Sequence, residues 1–367
     1  MKQIKTTIIF GTRPEAIKLC PLILELSARD EFDLRVVNTS QHRELCRDVL
    51  DFFRISADRD LDLMSDGQTL FDLTERVLSS VKNELIESPP DLLLVHGDTT
   101  TAFASALAGF YLGIKVGHIE AGLRSGDRFS PFPEEFNRRS IDYISFCHFC
   151  PTELSIKNLQ LEGIDTSRAF LTGNTVVDAL KYTVGAPKQS PHRKGCRMLM
   201  TLHRRESRGD TMLSILRGIK CAAEELDGIE ILFPAHPAPE VRGAISEIMG
   251  TKSTPHNIKI IEPMPLPEFH AALAECDFIL SDSGGVQEEA VSLQKPLLLV
   301  RANTERPEGI SSGFILPVNP DQNSVFDSIC RLASSFETDF SFDPDFKNPF
   351  GDGNASRRIA DAILSIL

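Results

Sequence analysis

The sequence has no surplus of positive charge. Its 39 Lys and Arg stand against 52 Asp and Glu, a net charge of −13, which argues against a general binder of nucleic acid or anionic membrane, a class that presents a basic face. A small anionic substrate is still allowed, because a few local cations suffice to hold one. A long apolar run is also missing. The longest, Ala102 to Ile114, is rich in small residues and stops at Lys115, well short of the about 20 residues that span a bilayer. The opening segment, MKQIKTTIIFGTRPEAIK, has no extended apolar core and reads as a first strand running into a glycine turn, not as a signal peptide. A cytoplasmic protein with no membrane partner is expected.

No disulfide or metal pattern is present. Eight cysteines are scattered over the chain, unlike a small secreted scaffold. Cys147 and Cys150 have C-x-x-C spacing, but no second pair completes a zinc ribbon. A redox pair would open a helix, whereas residues 141–150 read as one buried strand, on which positions three apart point to opposite faces. Neither G-x-G-x-x-G nor G-x-x-x-x-G-K-[ST] occurs, so a standard dinucleotide fingerprint and a P-loop are both missing. There is no 20–50-residue repeat and no low-complexity tract. No metal and no cofactor are expected.

What is there is an ordinary globular composition, 41% hydrophobic and 25% charged over 367 residues, long enough for two domains. Short apolar runs alternate with amphipathic stretches. Strands are predicted at 6–10, 34–38, 91–96 and 115–119, and helices at 14–28, 43–53, 69–86 and 101–111. The pattern weakens between Thr183 and Gly195, a Pro/Lys-rich connector, and then restarts. The second half is predicted to have strands at 197–202, 230–233, 258–261, 278–281 and 297–300, with helices at 212–225, 267–275 and 285–293. Such alternation implies an α/β protein with two doubly wound, Rossmann-like halves. Ligands bind beyond the carboxyl ends of strands in such sheets, so the cleft between halves is the expected site.

Charged residues gather at those ends. Gly11-Thr12-Arg13-Pro14 follows the first strand, placing Arg13 at a helix N-terminus that already attracts anions. Asp98 follows the 91–96 strand, where its ordinary role is a helix cap. Glu120 stands at the same edge one strand along, and two such carboxylates make a plausible acid/base pair. Pro131, Pro133 and Glu134 fix a third carboxylate nearby, although Glu134 also suits a helix dipole. In the second half His203, Arg204 and Arg205 end a strand and are suited to phosphates, or to a solvated basic loop. Ser283-Gly284-Gly285 opens a helix with backbone donors unobstructed by Cβ atoms. Glu289, one turn on, is placed to accept ribose hydroxyls.

These segments together resemble the bacterial-type, non-hydrolysing UDP-N-acetylglucosamine 2-epimerases. The matching motifs are FGTRPEAIK (Phe10–Lys18), QHREL (Gln41–Leu45), VHGDTTT (Val95–Thr101), GHIEAGLRSGD (Gly117–Asp127) and SPFPEEFNR (Ser130–Arg138). They continue with LTGNTVVDAL (Leu171–Leu180), HRRES (His203–Ser207), DSGGVQEEA (Asp282–Ala290), TERPEG (Thr304–Gly309) and NPFGDGNAS (Asn348–Ser356). The match runs in order over nearly the whole chain.

The resemblance implies a glycosyltransferase-B-like architecture: a first domain over residues 1–180, a UDP-binding domain over 181–354, and a last helix over 355–367 crossing back to the first. It implies C2 inversion between UDP-GlcNAc and UDP-ManNAc, for surface polysaccharide, by elimination of UDP to a 2-acetamidoglucal and readdition. Asp98, Glu120 and Glu134 then look like the acid/base carboxylates. His203, Arg13, Ser283, Gly284 and Gly285 look like diphosphate ligands, with His203 placed at the reaction itself. Glu289 looks like the ribose partner, Phe269 a uracil neighbour, and Lys18 and Arg306 sugar-side or phosphate-side helpers. A second UDP-GlcNAc acts as activator in the family, at positions matching Gln41, Arg204 and His236. A homodimer is the family expectation. The alternatives are a hydrolysing relative that releases UDP and ManNAc, a glycosyltransferase of the same fold, and a catalytically silent nucleotide-sugar binder.

Overall fold

The computed structural model describes residues 2–40, 43–65, 67–184, 195–204, 209–250, 254–301, 303–335, 343 and 345–367. Gln41, Arg205 and most of the 183–195 connector lie outside the described residues. The chain divides into two compact units, one of Met1–Lys181 with Phe350–Leu367, the other of Tyr182–Pro349.

The first unit runs β1 (Ile4–Phe10), α1 (Arg13–Ser27), β2 (Phe32–Asn38), α2 (Arg43–Phe53), β3 (Arg59–Asp60), α3 (Leu70–Glu87), β4 (Leu92–His96), α4 (Thr100–Tyr111) and β5 (Lys115–Ile119). It continues with α5 (Glu134–Ile144), β6 (Cys147–Cys150), α6 (Glu153–Leu161), β7 (Ala169–Leu171) and α7 (Thr175–Thr183), whose last two residues fall in the second unit. The second runs β8 (Cys196–Thr201), α8 (Asp210–Glu225), β9 (Ile229–Pro234), α9 (Pro239–Ile248), β10 (Ile258–Ile261), α10 (Leu266–Glu275) and β11 (Phe278–Ser281). Then follow α11 (Gly284–Ser292), β12 (Leu297–Leu299), α12 (Pro307–Ser311), β13 (Ile315–Pro317) and α13 (Gln322–Ser335), and α14 (Ala355–Ile366) closes the chain.

Both sheets are parallel throughout, in the orders β3-β2-β1-β4-β5-β6-β7 and β10-β9-β8-β11-β12-β13. Each reverses direction at one place, between β1 and β4 and between β8 and β11, which is where a doubly wound sheet opens a crevice for ligands. The central strands are near-continuous apolar runs, such as Leu92–Val95, because helices cover both faces; all four of these side chains are buried. Leu93 and Val95 pack with α3 and α4 through Val77, Val81 and Ala104. In the second unit Met198, Met200, Ile231 and Leu280 pack with Ile215, Ile219 and Ile329 of α8 and α13.

One expected strand is corrected. Residues 141–150 are not one strand: Ile141–Ile144 finish α5, and only Cys147–Cys150 form β6. Ile141 is buried on the helix face against the α3/α4 core, so helical packing overrode the β-branched composition. Cys147 and Cys150 are free and buried on β6.

The closing helix belongs to the first unit for a local reason. Asp178 of α7 accepts the N–H groups of Ala355 (3.1 Å) and Ser356 (2.8 Å), which satisfies the open end of α14. Asn174 donates its N–H to the Phe350 carbonyl (2.8 Å), and Arg29 of α1 pairs with Asp361 (2.6 Å). Burial raises the Asp178 pKa against those hydrogen bonds. Asp178→Ala is expected to lower stability by about 1–3 kcal/mol, since two buried donors lose their acceptor. Urea unfolding checks this, and an unchanged midpoint would remove the cap from the account.

Candidate active site

In the first unit four carbonyl-end turns meet. Thr12 caps α1 and Glu15 closes the capping box. The Glu15 carboxylate accepts from the Gly11 N–H (3.2 Å), the Thr12 N–H (2.9 Å), the Thr12 hydroxyl (2.7 Å) and the Thr99 hydroxyl (2.8 Å). It thereby ties the turn after β1 to the turn after β4, and burial raises its pKa despite those bonds. Arg13 is the first residue of α1.

Asp98 does not cap α4; Thr99 does, accepting the Ala102 N–H at 2.9 Å. The Asp98 carboxylate is free of that duty and pairs with the Arg138 guanidinium of α5, Nε standing 2.9 Å from Oδ2. Arg138 also holds Glu135 (2.9 Å), and Asn137 donates to the Asp98 carbonyl (2.9 Å). Helix α5 is thus pinned to the Asp98 turn, and Glu134 is its first residue.

Glu120 sits in the left-handed region at φ 67°, a conformation that side chains other than glycine adopt at a cost and that concentrates at functional sites. Its carboxylate is buried, paired with Lys18 and accepting from the Asn174 amide (2.8 Å). Gly97 (φ 64°) leaves room for it, since a Cβ there would stand 3.2 Å from Glu120 Oε2. His96 lies beside this group, and His96 Nε2 has no partner among the described residues. Burial pulls the His96 pKa down to about 4, so the ring is neutral at neutral pH. The first unit therefore brings together Asp98, Glu120 and Lys18, with Glu134 on the helix that clamps Asp98.

In the second unit the organiser is Asp282, fully buried after β11. It accepts the N–H groups of His203 (3.1 Å) and Arg204 (2.9 Å), and its Oδ1 is 3.3 Å from His203 Nδ1. Burial would raise its pKa, but the His203 bonds and charge hold it below the usual range. The His203 ring stacks on His236, centroids 5.9 Å apart. Ser283 precedes α11 without capping it through its side chain. A Cβ on Gly284 would stand 3.0 Å from Arg204 Nη2 and 3.1 Å from both Arg306 Nη1 and Glu305 Oε1, so two guanidinium groups and a carboxylate crowd that helix start. A Cβ on Gly285 would meet nothing within 4 Å.

Arg306 is committed internally, to Glu288 (2.9 Å) and Glu305. Glu289 lies buried on α11 with Oε1 3.4 Å from His270 Nε2 and Oε2 without a partner among the described residues. His270 Nδ1 in turn meets the Thr183 hydroxyl (2.7 Å), and the Phe269 ring is next along α10, 6.2 Å from that of His270. The structure thus gathers His203, His236, Arg204, Ser283, Gly284 and Arg306 around one helix end. Glu289 and Phe269 lie beside His270. Among the described residues no group of three or more His, Cys, Asp or Glu is arranged to hold a metal, and no described helix is long and apolar enough to cross a membrane.

Comparison with known proteins adds to this geometry. The family model for UDP-N-acetylglucosamine 2-epimerase matches residues 24–364. The UDP-N-acetylglucosamine 2-epimerase of Bacillus subtilis strain 168 is 42% identical, over 99% of this chain and 96% of its own length. This chain belongs to the UDP-N-acetylglucosamine 2-epimerase family. A solved epimerase from Neisseria meningitidis, bound to UDP-GlcNAc, is 39% identical with a TM-score of 0.92, covering 99% of this chain and all of that one. The glycotransferase of kitacinnamycin, 13% identical with a TM-score of 0.58 over 99% of this chain and 94% of its own, shares the fold alone. The glycosyltransferase-B-like class of the epimerase fold agrees with that likeness.

Several residues of this epimerase-family site escape a reading of sequence. Asn174, Arg138 and Asp282 each lie inside a quoted motif, yet nothing in their spacing says what they touch. Their partners are 54, 40 and 79 residues away. His96 had a local signal, since it ends β4 directly before Gly97 and Asp98.

Proposed function

We propose that the chain interconverts UDP-GlcNAc and UDP-ManNAc by inverting C2 without net hydrolysis. The observation that carries this is the pair of carboxylates on adjacent strand ends, Asp98 held by the Arg138 guanidinium and Glu120 by the Lys18 ammonium and the Asn174 amide. The C2 proton is not acidic by itself, because no carbonyl flanks C2. It can leave if UDP departs from C1, giving a 2-acetamidoglucal. Readdition of UDP with the proton delivered to the other face completes inversion. Such a route needs acid/base carboxylates at C2, and Asp98, Glu120 and Glu134 supply them. Two carboxylates in different settings, one partly exposed beside Arg138 and one buried beside Lys18, suit an acid and a base.

The departing diphosphate needs cations and oriented N–H groups. Arg13 with the α1 start, and His203, Ser283, Gly284 and Gly285 with the α11 start, fit that need. Arg306 fits as a support of the α11 end. Glu289, with one oxygen unpartnered among the described residues, suits ribose hydroxyls, and Phe269 the uracil ring. Arg204 and His236 would serve a second, activating UDP-GlcNAc; Gln41 would join them. In the relative from Neisseria meningitidis, UDP-GlcNAc is the bound ligand, which supports this substrate class. A cytoplasmic homodimer supplying surface polysaccharide synthesis completes the reading.

Incubation with UDP-GlcNAc in D2O, followed by proton NMR, tests it. The expected result is a mixture with UDP-ManNAc, deuterium at C2 and little free UDP. Stoichiometric UDP and ManNAc would replace it with a hydrolysing enzyme. Gly285→Ala is a second test. Its Cβ has open space, so folding should be unaffected, while UDP affinity falls by roughly tenfold, or about 1.4 kcal/mol. Unchanged affinity in calorimetry would move the diphosphate away from Gly285.

A further inference from the structure

His118 lies on β5, fully buried, and its two ring nitrogens both point at acceptors. Nδ1 is 2.6 Å from Asp142 Oδ1, and Nε2 is 2.8 Å from the Gly97 carbonyl oxygen. A carbonyl oxygen can only accept. The Asp142 carboxylate is also an acceptor at neutral pH: burial opposes its charge, but the Arg124 guanidinium and the Gly122 N–H, both donating to Oδ2, favour the ionised form. Both nitrogens of His118 must therefore donate, which makes the ring an imidazolium.

The same carboxylate reaches the other turn. Asp142 Oδ2 accepts the Gly122 N–H (3.2 Å) and the Arg124 guanidinium (2.8 Å), and Arg124 is itself held by Glu162 (2.8 and 2.5 Å). His148 Nε2 lies 2.7 Å from the Asp142 carbonyl on the remaining side. Gly97 immediately precedes Asp98, and Gly122 follows Glu120 by two residues. Asp142 lies four residues after Arg138 on α5, so both face one side of the helix. One helix face thus clamps Asp98 through its side chain and both catalytic-end turns through their backbones.

We propose that His118 and Asp142 are positioning residues, a buried imidazolium–carboxylate pair that fixes the Asp98 turn against the Glu120 turn. The proposal rests on Asp98 and Glu120 being the acid/base carboxylates. Neither His118 nor Asp142 touches substrate; they act through the turns they hold.

His118→Asn keeps a donor for Asp142 but cannot reach Gly97. Its kcat for C2 epimerisation is expected to fall by about 100-fold with KM within about threefold, as a misplaced catalytic group does. His118→Gln, long enough to reach Gly97, should recover part of that loss. Asp142→Asn can offer its amide N–H to Nδ1 and its oxygen to Gly122 and Arg124, leaving a neutral ring that still donates to Gly97. Its kcat should stay within about tenfold of the parent. In histidine-labelled protein, two-bond ¹H–¹⁵N spectra at neutral pH should give His118 as an imidazolium, and Asp142→Asn should convert it to a neutral ring. A neutral His118 in the parent, or a folded His118→Asn protein with parental kcat, would overturn the proposal. So would Asp142→Asn as damaging as His118→Asn. If the parent itself neither epimerises nor exchanges C2–H, the functional reading falls. The imidazolium spectrum still tests the pair in that case.

Discussion

Glu120→Gln is expected to lower the rate of C2–H exchange by about 100- to 10,000-fold, the range that one positioned acid/base group supplies. The side chain keeps its size, and the new amide oxygen can still accept from Lys18 and Asn174. What disappears is the negative charge, and with it the capacity to take a proton. The change also leaves the buried Lys18 ammonium without its counter-charge, a loss that costs about 3–5 kcal/mol when one member of a buried pair is removed. Melting temperature must therefore be read beside the rate. UDP affinity is the internal control, because of the proposed diphosphate ligands only Arg13 shares the unit carrying Glu120, while His203 and Ser283–Gly285 belong to the second unit. A folded variant with normal UDP binding and near-normal exchange would remove Glu120 from the chemistry.

Gly122→Ala should damage stability through the backbone. Gly122 has φ 82°, where L side chains are strained, and an added Cβ would lie 2.3 Å from the Ser155 carbonyl oxygen. That contact is with backbone, so no side chain can turn away to relieve it. Gly122 is also held on both sides, by Asp142 at its N–H and by the Asn158 amide at its carbonyl (2.9 Å). Movement of this turn would break both bonds. A loss of about 3 kcal/mol or more is expected, with a matching drop in the denaturation midpoint. An unfolding free energy within about 0.5 kcal/mol of the parent would show that the turn yields freely. The turn would then be too soft to hold Glu120.

The two variants bear on different levels of the same edge. One removes charge from a side chain, and the other disturbs the backbone that aims it. The left-handed conformation at Glu120 connects them, since a residue kept there depends on neighbours that leave it no alternative.

The sequence by itself determined the class of the fold, and the reason is periodicity. Alternating buried strands and amphipathic helices specify parallel, doubly wound sheets, and such sheets place their strand-end turns at one edge. Gly11-Thr12-Arg13, Gly97-Asp98, Ile119-Glu120, Leu202-His203 and Ser283-Gly284-Gly285 could therefore be assigned to carboxyl ends before any partner was known. Local rules failed where long-range packing decided. Ile141–Ile144 have strand-like composition, but the α3/α4 core buries Ile141 on a helix. Asp98 looks like a cap, but Thr99 takes that role because Arg138, 40 residues on, claims the Asp98 carboxylate. Lys18 and Arg306 look like cations available to a ligand, yet both are ion-paired within the protein. The protonation of His118 depends on two oxygens, 21 and 24 residues away, that only the packing of α5 against the β4 and β5 ends brings to its ring. Residue type and spacing fix which chemistry is present at a sheet edge. The tertiary structure alone decides which charges neutralise one another and which remain for a substrate, because those pairings depend on distances of a few ångströms between segments remote in the chain.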